Sequence, residues 1–100
     1  MHANDPLRPI HPGEILREEF LAPLGMSAYA LAVHLRVPRT RIERLVREET
    51  PVPPDTALRL ARYWGTTPDF WLGLQAQFDL ETAQDGMSEE IAAIRPRKVA

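Results

Sequence analysis

Two short helical patterns lie in SAYALAVHLRVPRTRIERLVR, residues 27–47, and only three residues separate them. Ser27 can cap the first pattern because its hydroxyl accepts a backbone N–H that the first helical turn leaves unpaired. Pro38 pushes the residue before it out of the helical region and then fits the first turn of a second helix. Two helices joined this tightly cannot lie antiparallel. The stretch therefore predicts a helix-turn-helix whose second helix begins near Pro38 and runs to about Arg47.

The second helix has two chemically different sides when its residues are placed at 100° intervals. The apolar side consists of Ile42, Leu45 and Val46. The opposite side is polar and rich in arginine, and it consists of Thr40, Arg44 and Arg47, with Arg41 and Glu43 on the flanks and Arg39 at the exposed N-terminal end. A helix of this size fits the major groove of B-form DNA, where one arginine can hydrogen-bond two acceptors of a guanine.

These side chains predict a DNA-binding site with two kinds of contact. Contacts with base edges are expected from Arg39, Thr40 and Arg44. Contacts with phosphates are expected from Ser27, Arg41 and Arg47. An arginine-rich face can also be an ordinary solvated helix surface. The helix-turn-helix arrangement, braced by further helices, favours DNA binding over that alternative.

The charge of the whole chain and the charge of this stretch point in different directions. The 100 residues carry a formal net charge of -2, and a pI near 5.9 argues mildly against binding to nucleic acid through bulk charge. Five arginines nevertheless lie within twelve residues that contain a single carboxylate, Glu43: Arg36, Arg39, Arg41, Arg44 and Arg47. Positive charge is thus concentrated on the predicted second helix.

The rest of the chain predicts further helices and no strand. A first helix begins with Pro12 and stops at Pro23-Leu24-Gly25. A fourth helix follows the prolines at 51, 53 and 54 and ends at Gly65. Its inward residues are expected to be Ala57, Leu58 and Ala61. A fifth helix begins after the N-cap Thr67, and its large side chains are expected to fill the core: Phe70, Trp71, Leu74 and Phe78.

A break is predicted at Asp85-Gly86, followed by a short helix from Ser88 to Ile94 and a basic tail. The fold class is therefore all-α, with one domain of five or six helices. The expected divisions are an N-terminal tail at residues 1–9, a helix-turn-helix domain at 10–83, and the C-terminal short helix and basic tail at 84–100.

Composition and motifs exclude several other classes of protein. Cysteine is absent, and the three histidines, expected as surface or cap residues, lack the spacing of metal ligands: His2, His11 and His34. No phosphate-binding glycine loop or nucleophile motif is present. No segment resembles a signal peptide or a membrane span. We expect a cytoplasmic binding protein that is not an enzyme and uses no metal, cofactor, membrane or small-molecule substrate.

Two sets of motifs, in this order, resemble the HigA family of antitoxins within the Xre-like, lambda-repressor-like helix-turn-helix class. The first set is HPGEIL at 11–16, SAYALA at 27–32 and VPRTRI at 37–42. The second set is DTALRLAR at 55–62, WGT at 64–66 and FWL at 70–72. The match spans roughly residues 8–83. The resemblance implies a dimeric antitoxin that pairs with a HigB-type ribonuclease toxin, suppresses it, and represses the operon encoding both.

Three features depart from the pattern of that family. Ala28 stands where relatives usually have a glutamine that braces the contact with the DNA backbone. Arg36 stands where a glycine commonly makes the turn, so it must adopt a left-handed backbone at some cost or bend the turn differently. Glu48 and Glu49 follow the second helix of the helix-turn-helix, where relatives tend to have an asparagine, a glycine and a basic residue. Carboxylates there would repel DNA.

A homodimer is expected because one recognition helix reads too few base pairs for useful specificity. Its interface is predicted on the fifth helix and the segment from Ser88 to Ile94.

The first helix contains three acids that could suggest acid-base chemistry: Glu14, Glu18 and Glu19. A solvated acidic face is the simpler interpretation, and this face could meet a basic toxin. Two alternatives stay open. One is a toxin-binding module on a helix-turn-helix scaffold with weak or lost DNA binding, which Ala28 and the two loop glutamates favour. The other is a stand-alone repressor.

Overall fold

The computed structural model describes residues 8–98, and this part of the chain folds into five helices without a strand. The first helix, α1, spans residues 12–24 and joins α-helical Pro12–Ile15, π-helical Leu16–Leu21 and α-helical Ala22–Leu24. The helices that follow are α2 at Ala28–Leu35, α3 at Arg39–Val46, α4 at Pro54–Trp64 and α5 at Pro68–Ala92. The all-α fold class is confirmed.

Helix α1 begins and ends where the sequence predicts. His11 caps it, because its Nδ1 accepts the backbone N–H of Gly13 at 2.8 Å. In the π-helical part the chain widens by one residue per turn, so that the N–H of Ala22 donates to the carbonyl of Arg17. Gly25 then ends the helix with a left-handed backbone at φ 60°.

The helix-turn-helix forms as predicted from its local signals. Ser27 caps α2, since its Oγ accepts the backbone N–H of Ala30 at 3.0 Å. Arg36 follows α2 with a left-handed backbone at φ 61°, and the N–H of Val37 returns to the carbonyl of Ala32 at 3.1 Å. This is the hydrogen-bond pattern of a Schellman turn, which glycine normally makes. Arg36 therefore adopts the strained backbone and the turn keeps its usual shape.

The core lies where all five helices meet. Its fully buried side chains include Leu16 of α1, Leu31 of α2, the pair Ile42 and Leu45 of α3, Leu60 of α4 and Trp71 of α5. The predicted apolar side of α3 is confirmed, with Val46 half-buried beside the other two. On α4, Ala57 and Ala61 are buried as predicted. The prediction for Leu58 is wrong: it is 59% exposed, because residues 57, 60 and 61 define the inward side and position 58 points away from it.

The aromatic residues of α5 differ in how deeply they are buried. Trp71 is fully buried, and its indole N–H donates to Oγ1 of Thr66 at 2.8 Å. Leu74 and Phe78 are half-buried. Phe70 was predicted in the core, but it is 40% exposed and packs at the rim against Trp71, with ring centroids 5.0 Å apart. The core prediction is therefore confirmed for Trp71 and too deep for Phe70.

The predicted break at Asp85-Gly86 is wrong. Helix α5 runs without interruption through Gly86, which is possible because a helical glycine costs only about 1 kcal/mol relative to alanine. The expected short helix from Ser88 is thus the end of α5, and the expected boundary after residue 83 falls inside this helix. Of the predicted N-terminal tail, residues 1–7 lie outside the described part, as does His2.

Candidate DNA-binding interface

The polar side of α3 is the exposed surface that the sequence predicts. Arg39, Thr40 and Arg44 are all exposed, while Ile42 and Leu45 on the opposite side are buried. Thr40 and Arg44 share the wall of a shallow cleft of about 460 Å³ between α3 and residues 50–55. The structure therefore brings the three expected base-reading side chains to one face.

Arg39 has two neighbours that hold its guanidinium group. Its Cζ lies 5.7 Å from the centroid of the Tyr29 ring, within the range of a cation–π interaction. Its Nε lies 4.0 Å from Oε2 of Glu43, one turn further along α3. Tyr29 is 56% exposed, so the ring stays accessible. Sequence reasoning missed Tyr29, because its position beside α3 depends on how the two helices cross.

Arg41, expected at a phosphate, is engaged by α4 in the free chain. Its Nη1 donates to Oδ2 of Asp55 at 2.6 Å, and this hydrogen bond lowers the pKa of Asp55 below its usual value. Asp55 also lies 3.5 Å from Nε of Arg59. Arg41 therefore ties α3 to the start of α4, and a phosphate would have to replace a carboxylate at this side chain.

Arg47, also expected at a phosphate, is engaged by the loop that follows α3. Its Nε and Nη2 donate to the two carboxylate oxygens of Glu49 at 3.0 and 3.5 Å. Glu48 adopts a left-handed backbone at φ 64° and ends α3 with the same Schellman pattern that ends α2. Its carboxylate accepts from Nη2 of Arg17 at 3.2 Å. Both loop carboxylates are thus paired with arginines.

Two arginines that sequence reasoning missed hold the ends of the helix-turn-helix. Arg17 of α1 donates to the backbone carbonyl of Val46 at the end of α3. Arg59 of α4 donates to the carbonyl of Leu35 at the end of α2, at 2.7 Å. Each arginine satisfies a carbonyl that the helix end leaves unpaired. These contacts join residues 24 or more positions apart, so no local signal identifies them.

Relatives and solved structures resemble the chain over most of its length. Antitoxin HigA-1 of Vibrio cholerae is 36% identical over 89 residues, which cover 89% of this chain and 84% of that protein. A solved structure of the Pseudomonas aeruginosa antitoxin HigA with the higBA promoter has a TM-score of 0.87 and 42% identity, and the match covers 91% of this chain and 100% of that one. The chain belongs to the HigA family of antitoxins. The fold prediction and the resemblance are both confirmed.

A further solved structure, antitoxin GraA in complex with its operator, has a TM-score of 0.85 and 48% identity and covers 99% of this chain and 100% of that one. No family model matches the sequence. All three of these relatives are antitoxins by name. None of the helices within residues 8–98 is long and apolar enough to span a membrane. The same residues contain no group of three or more side chains suited to hold a metal ion.

One departure from the HigA pattern, at residue 28, changes what that position can contact. Ala28, in place of the usual glutamine, is half-buried and packs against the core. A methyl group has no hydrogen-bond donor, so this position cannot make the polar contact with the DNA backbone that a glutamine amide could make.

On the acidic face of α1, Glu14 receives two hydrogen bonds of 2.7 Å from Arg8, which lower the pKa of Glu14. Glu18 pairs with Arg17 at 3.0 Å. Glu19 is exposed and has no ion pair within residues 8–98.

Proposed function

We propose that this HigA-family chain is an antitoxin that represses its own operon by binding operator DNA through α3, and that it neutralises a HigB-type ribonuclease toxin. It acts by binding and not by catalysis. The observation that carries DNA binding is the exposed arginine-rich side of α3 backed by buried Ile42 and Leu45. The HigA and GraA structures with DNA, at 42% and 48% identity, support the same activity for this chain.

Within the major groove, we assign the contacts with base edges to Arg39, Thr40 and Arg44. Arginine recognises guanine through its O6 and N7 acceptors, and threonine contacts either a polar edge or the thymine methyl group. The ring of Tyr29 would hold the Arg39 guanidinium before DNA arrives, which reduces the conformational entropy that binding costs.

Phosphate contacts are assigned to Ser27, Arg41 and Arg47. Ser27 accepts a hydrogen bond as a helix cap, and its hydroxyl hydrogen stays available for a phosphate oxygen at the N-terminus of α2. The two arginines would exchange a carboxylate for a phosphate when DNA binds. Operator affinity is therefore expected to be moderate and to fall steeply with salt.

A homodimer would place two α3 helices on one inverted-repeat operator. The far end of α5 and the turn after it support this assignment, because exposed apolar side chains recur there at helical spacing: Leu80, Met87, Ile91 and Ile94. Such a stripe is more typical of an interface than of a solvated helix. The toxin contact is assigned to the exposed acids of α1, Glu18 and Glu19, because a basic ribonuclease would be attracted to them.

The proposal is tested by two measurements on the full chain. Purified protein is titrated into its own upstream region and into random DNA of equal length, and preference for the upstream region is expected. The protein is also co-expressed with a small basic product of the neighbouring gene, and co-purification with loss of ribonuclease activity is expected. A Glu18→Lys/Glu19→Lys variant should lose the co-purification. Retention would remove this surface from the proposal.

A second candidate function is a toxin-binding module with weak or lost DNA binding. The ion pair between Arg47 and Glu49 favours it, since one side chain expected to bind phosphate already binds a carboxylate. Ala28 favours it too, because the usual phosphate-bracing side chain is absent. Co-purification with the toxin combined with equal binding to upstream and random DNA would establish this second candidate in place of the first.

A further inference from the structure

Glu43 is the one acidic residue of α3, and it lies on the side of the helix that the proposed function turns towards DNA. At 100° per residue it falls about 60° around the helix from Thr40, while Arg39 and Arg41 fall about 100° from Thr40 on opposite sides. Glu43 is therefore nearer the middle of the polar side than either arginine. Its side chain is 33% exposed. DNA in contact with Thr40 and Arg44 would also meet this carboxylate.

The carboxylate of Glu43 accepts no hydrogen bond from any residue in the range 8–98. Its ion-pair partner is Arg39, whose Nε lies 4.0 Å from Oε2, and this distance is too long for a hydrogen bond. The other acids beside α3 each accept a hydrogen bond from an arginine: Glu48 from Arg17 at 3.2 Å, Glu49 from Arg47 at 3.0 Å, and Asp55 from Arg41 at 2.6 Å. Glu43 thus differs from them in having both oxygens open to a donor from outside the chain.

A carboxylate in the major groove meets mostly groups that repel it. The phosphates are negative, and the N7 and O6 atoms of guanine and the O4 atom of thymine are hydrogen-bond acceptors. Two groups can donate to a carboxylate there, the N4 amino group of cytosine and the N6 amino group of adenine. Adenine also presents the acceptor N7 beside its amino group, whereas cytosine presents no acceptor. Cytosine is therefore the base that best suits a carboxylate.

We propose that Glu43 selects cytosine in the operator by accepting a hydrogen bond from its N4 amino group. This inference rests on the proposed function, because it adds a fourth residue to the base-reading side of α3. Glu43 also rejects the other bases, since an acceptor placed opposite the carboxylate leaves both groups without a donor. Specificity at this base pair then comes from attraction to one base and repulsion from the others.

A different role for Glu43, in which it only orients Arg39, makes a different prediction. The two residues are one helical turn apart, and such pairs are common on solvated helices. The contact holds the arginine weakly, because the separation is 4.0 Å and the Arg39 side chain is 63% exposed. If Glu43 acted only through Arg39, any base preference due to Glu43 would disappear when Arg39 is removed.

The test compares the base preference of the wild type with that of Glu43→Gln at each base pair of the upstream binding site. Fluorescence anisotropy gives dissociation constants for the natural duplex and for duplexes with one base pair changed. When the selected cytosine becomes thymine, which replaces the N4 amino group by the O4 acceptor, the wild type is expected to bind at least about fivefold more weakly. For Glu43→Gln this ratio is expected to fall within about twofold, because an amide can also donate to O4. Thermal melts verify that the variant is folded.

Glu49→Gln is the matched control, because it removes the same charge from the same surface outside the base-reading side. It is expected to tighten binding to all the duplexes by a similar factor, and to leave the order of base preference unchanged. The effect of Glu43→Gln is expected at one base pair of each half-site. In an Arg39→Ala background, the preference for cytosine at that base pair is expected to persist.

Three results would overturn the inference. They are a profile of base preference that Glu43→Gln leaves unchanged, a preference lost at adenine in place of cytosine, and a cytosine preference that vanishes with Arg39→Ala. In each case the wild type still prefers its upstream region, so the proposed function stands. A wild type that binds upstream and random DNA equally would contradict the proposed function and this inference with it.

Discussion

Replacing Glu49 by glutamine is expected to tighten operator binding, because Glu49 competes with phosphate for Arg47. In the free chain the guanidinium donates to both oxygens of this carboxylate at 3.0 and 3.5 Å. The two side chains are 57% and 51% exposed, and an exposed ion pair contributes about 0.2–1 kcal/mol. The wild type must give up this interaction when Arg47 turns to a phosphate. The Glu49→Gln variant gives up much less.

Repulsion between the Glu49 carboxylate and the same phosphate adds a second contribution. At a separation of about 8 Å in water, the Coulomb energy of two unit charges is about 0.5 kcal/mol, and physiological salt screens part of it. The two effects together predict a gain of about 0.5–1.5 kcal/mol. That gain corresponds to binding about two- to twelve-fold tighter.

The assay is a fluorescence anisotropy titration of labelled upstream DNA across a series of salt concentrations. The slope of log affinity against log salt is expected to steepen by up to about 0.9 for the variant. Without the Glu49 carboxylate, the contact between Arg47 and the phosphate neutralises one more unit of DNA charge. Glu19→Gln, the same chemical change at an exposed residue of α1, serves as the control and is expected to have little effect. In an Arg47→Ala background, only the part of the affinity gain that comes from repulsion between Glu49 and the phosphate is expected to remain. An undiminished gain there would refute the competition between Glu49 and phosphate.

Three further substitutions test the support of Arg39, the close contact of α1 with α3, and the cap of α1. Tyr29→Ala is expected to weaken operator binding about two- to five-fold through loss of the cation–π contact with Arg39, with no further loss in an Arg39→Ala background and with wild-type affinity for Tyr29→Phe. A purely additive double-mutant cycle would contradict this. Gly13→Ala is expected to destabilise the fold by about 3 kcal/mol in urea titrations, because the new methyl group would overlap a carbonyl oxygen of α3. Gly73→Ala, where the space is open, is the control and should not destabilise. Burial lowers the pKa of His11 below 6.5, so below that pH the unfolded chain binds a proton that the folded chain does not. The free energy of unfolding should therefore fall from pH 7 to pH 5.5, and His11→Asn, which keeps a cap acceptor, should flatten this dependence.

The parts of the fold that could be predicted from the sequence are those encoded by a few neighbouring residues. Ser27 and Thr67 cap helices through their own hydroxyls, and Gly65 ends α4 with a left-handed backbone. The interruption expected at Gly86 is absent, because one glycine weakens a helix by less than the rest of α5 stabilises it. The sequence predicts Leu58 in the core because the residue is apolar, but its position on α4 points outward.

The exposed face of the candidate site could be predicted from the sequence, but the partners of its side chains could not. Periodicity places Arg39, Thr40 and Arg44 on one exposed face without any knowledge of tertiary structure. Which arginines are already engaged depends on contacts between distant parts of the chain, such as Arg41 with Asp55 and Arg17 with the end of α3. Such contacts between distant residues have no signature in a single sequence.

The central claim, that α3 reads operator bases, is tested most directly with Arg44→Ala on two DNA duplexes. Wild type and variant are titrated into the upstream region and into random DNA of equal length at several salt concentrations. The account predicts that the variant loses about 1–3 kcal/mol, or about 5- to 150-fold, on the upstream region and much less on random DNA. Equal losses on both duplexes would show that Arg44 contacts only phosphate. A wild type without preference for the upstream region would contradict base reading altogether.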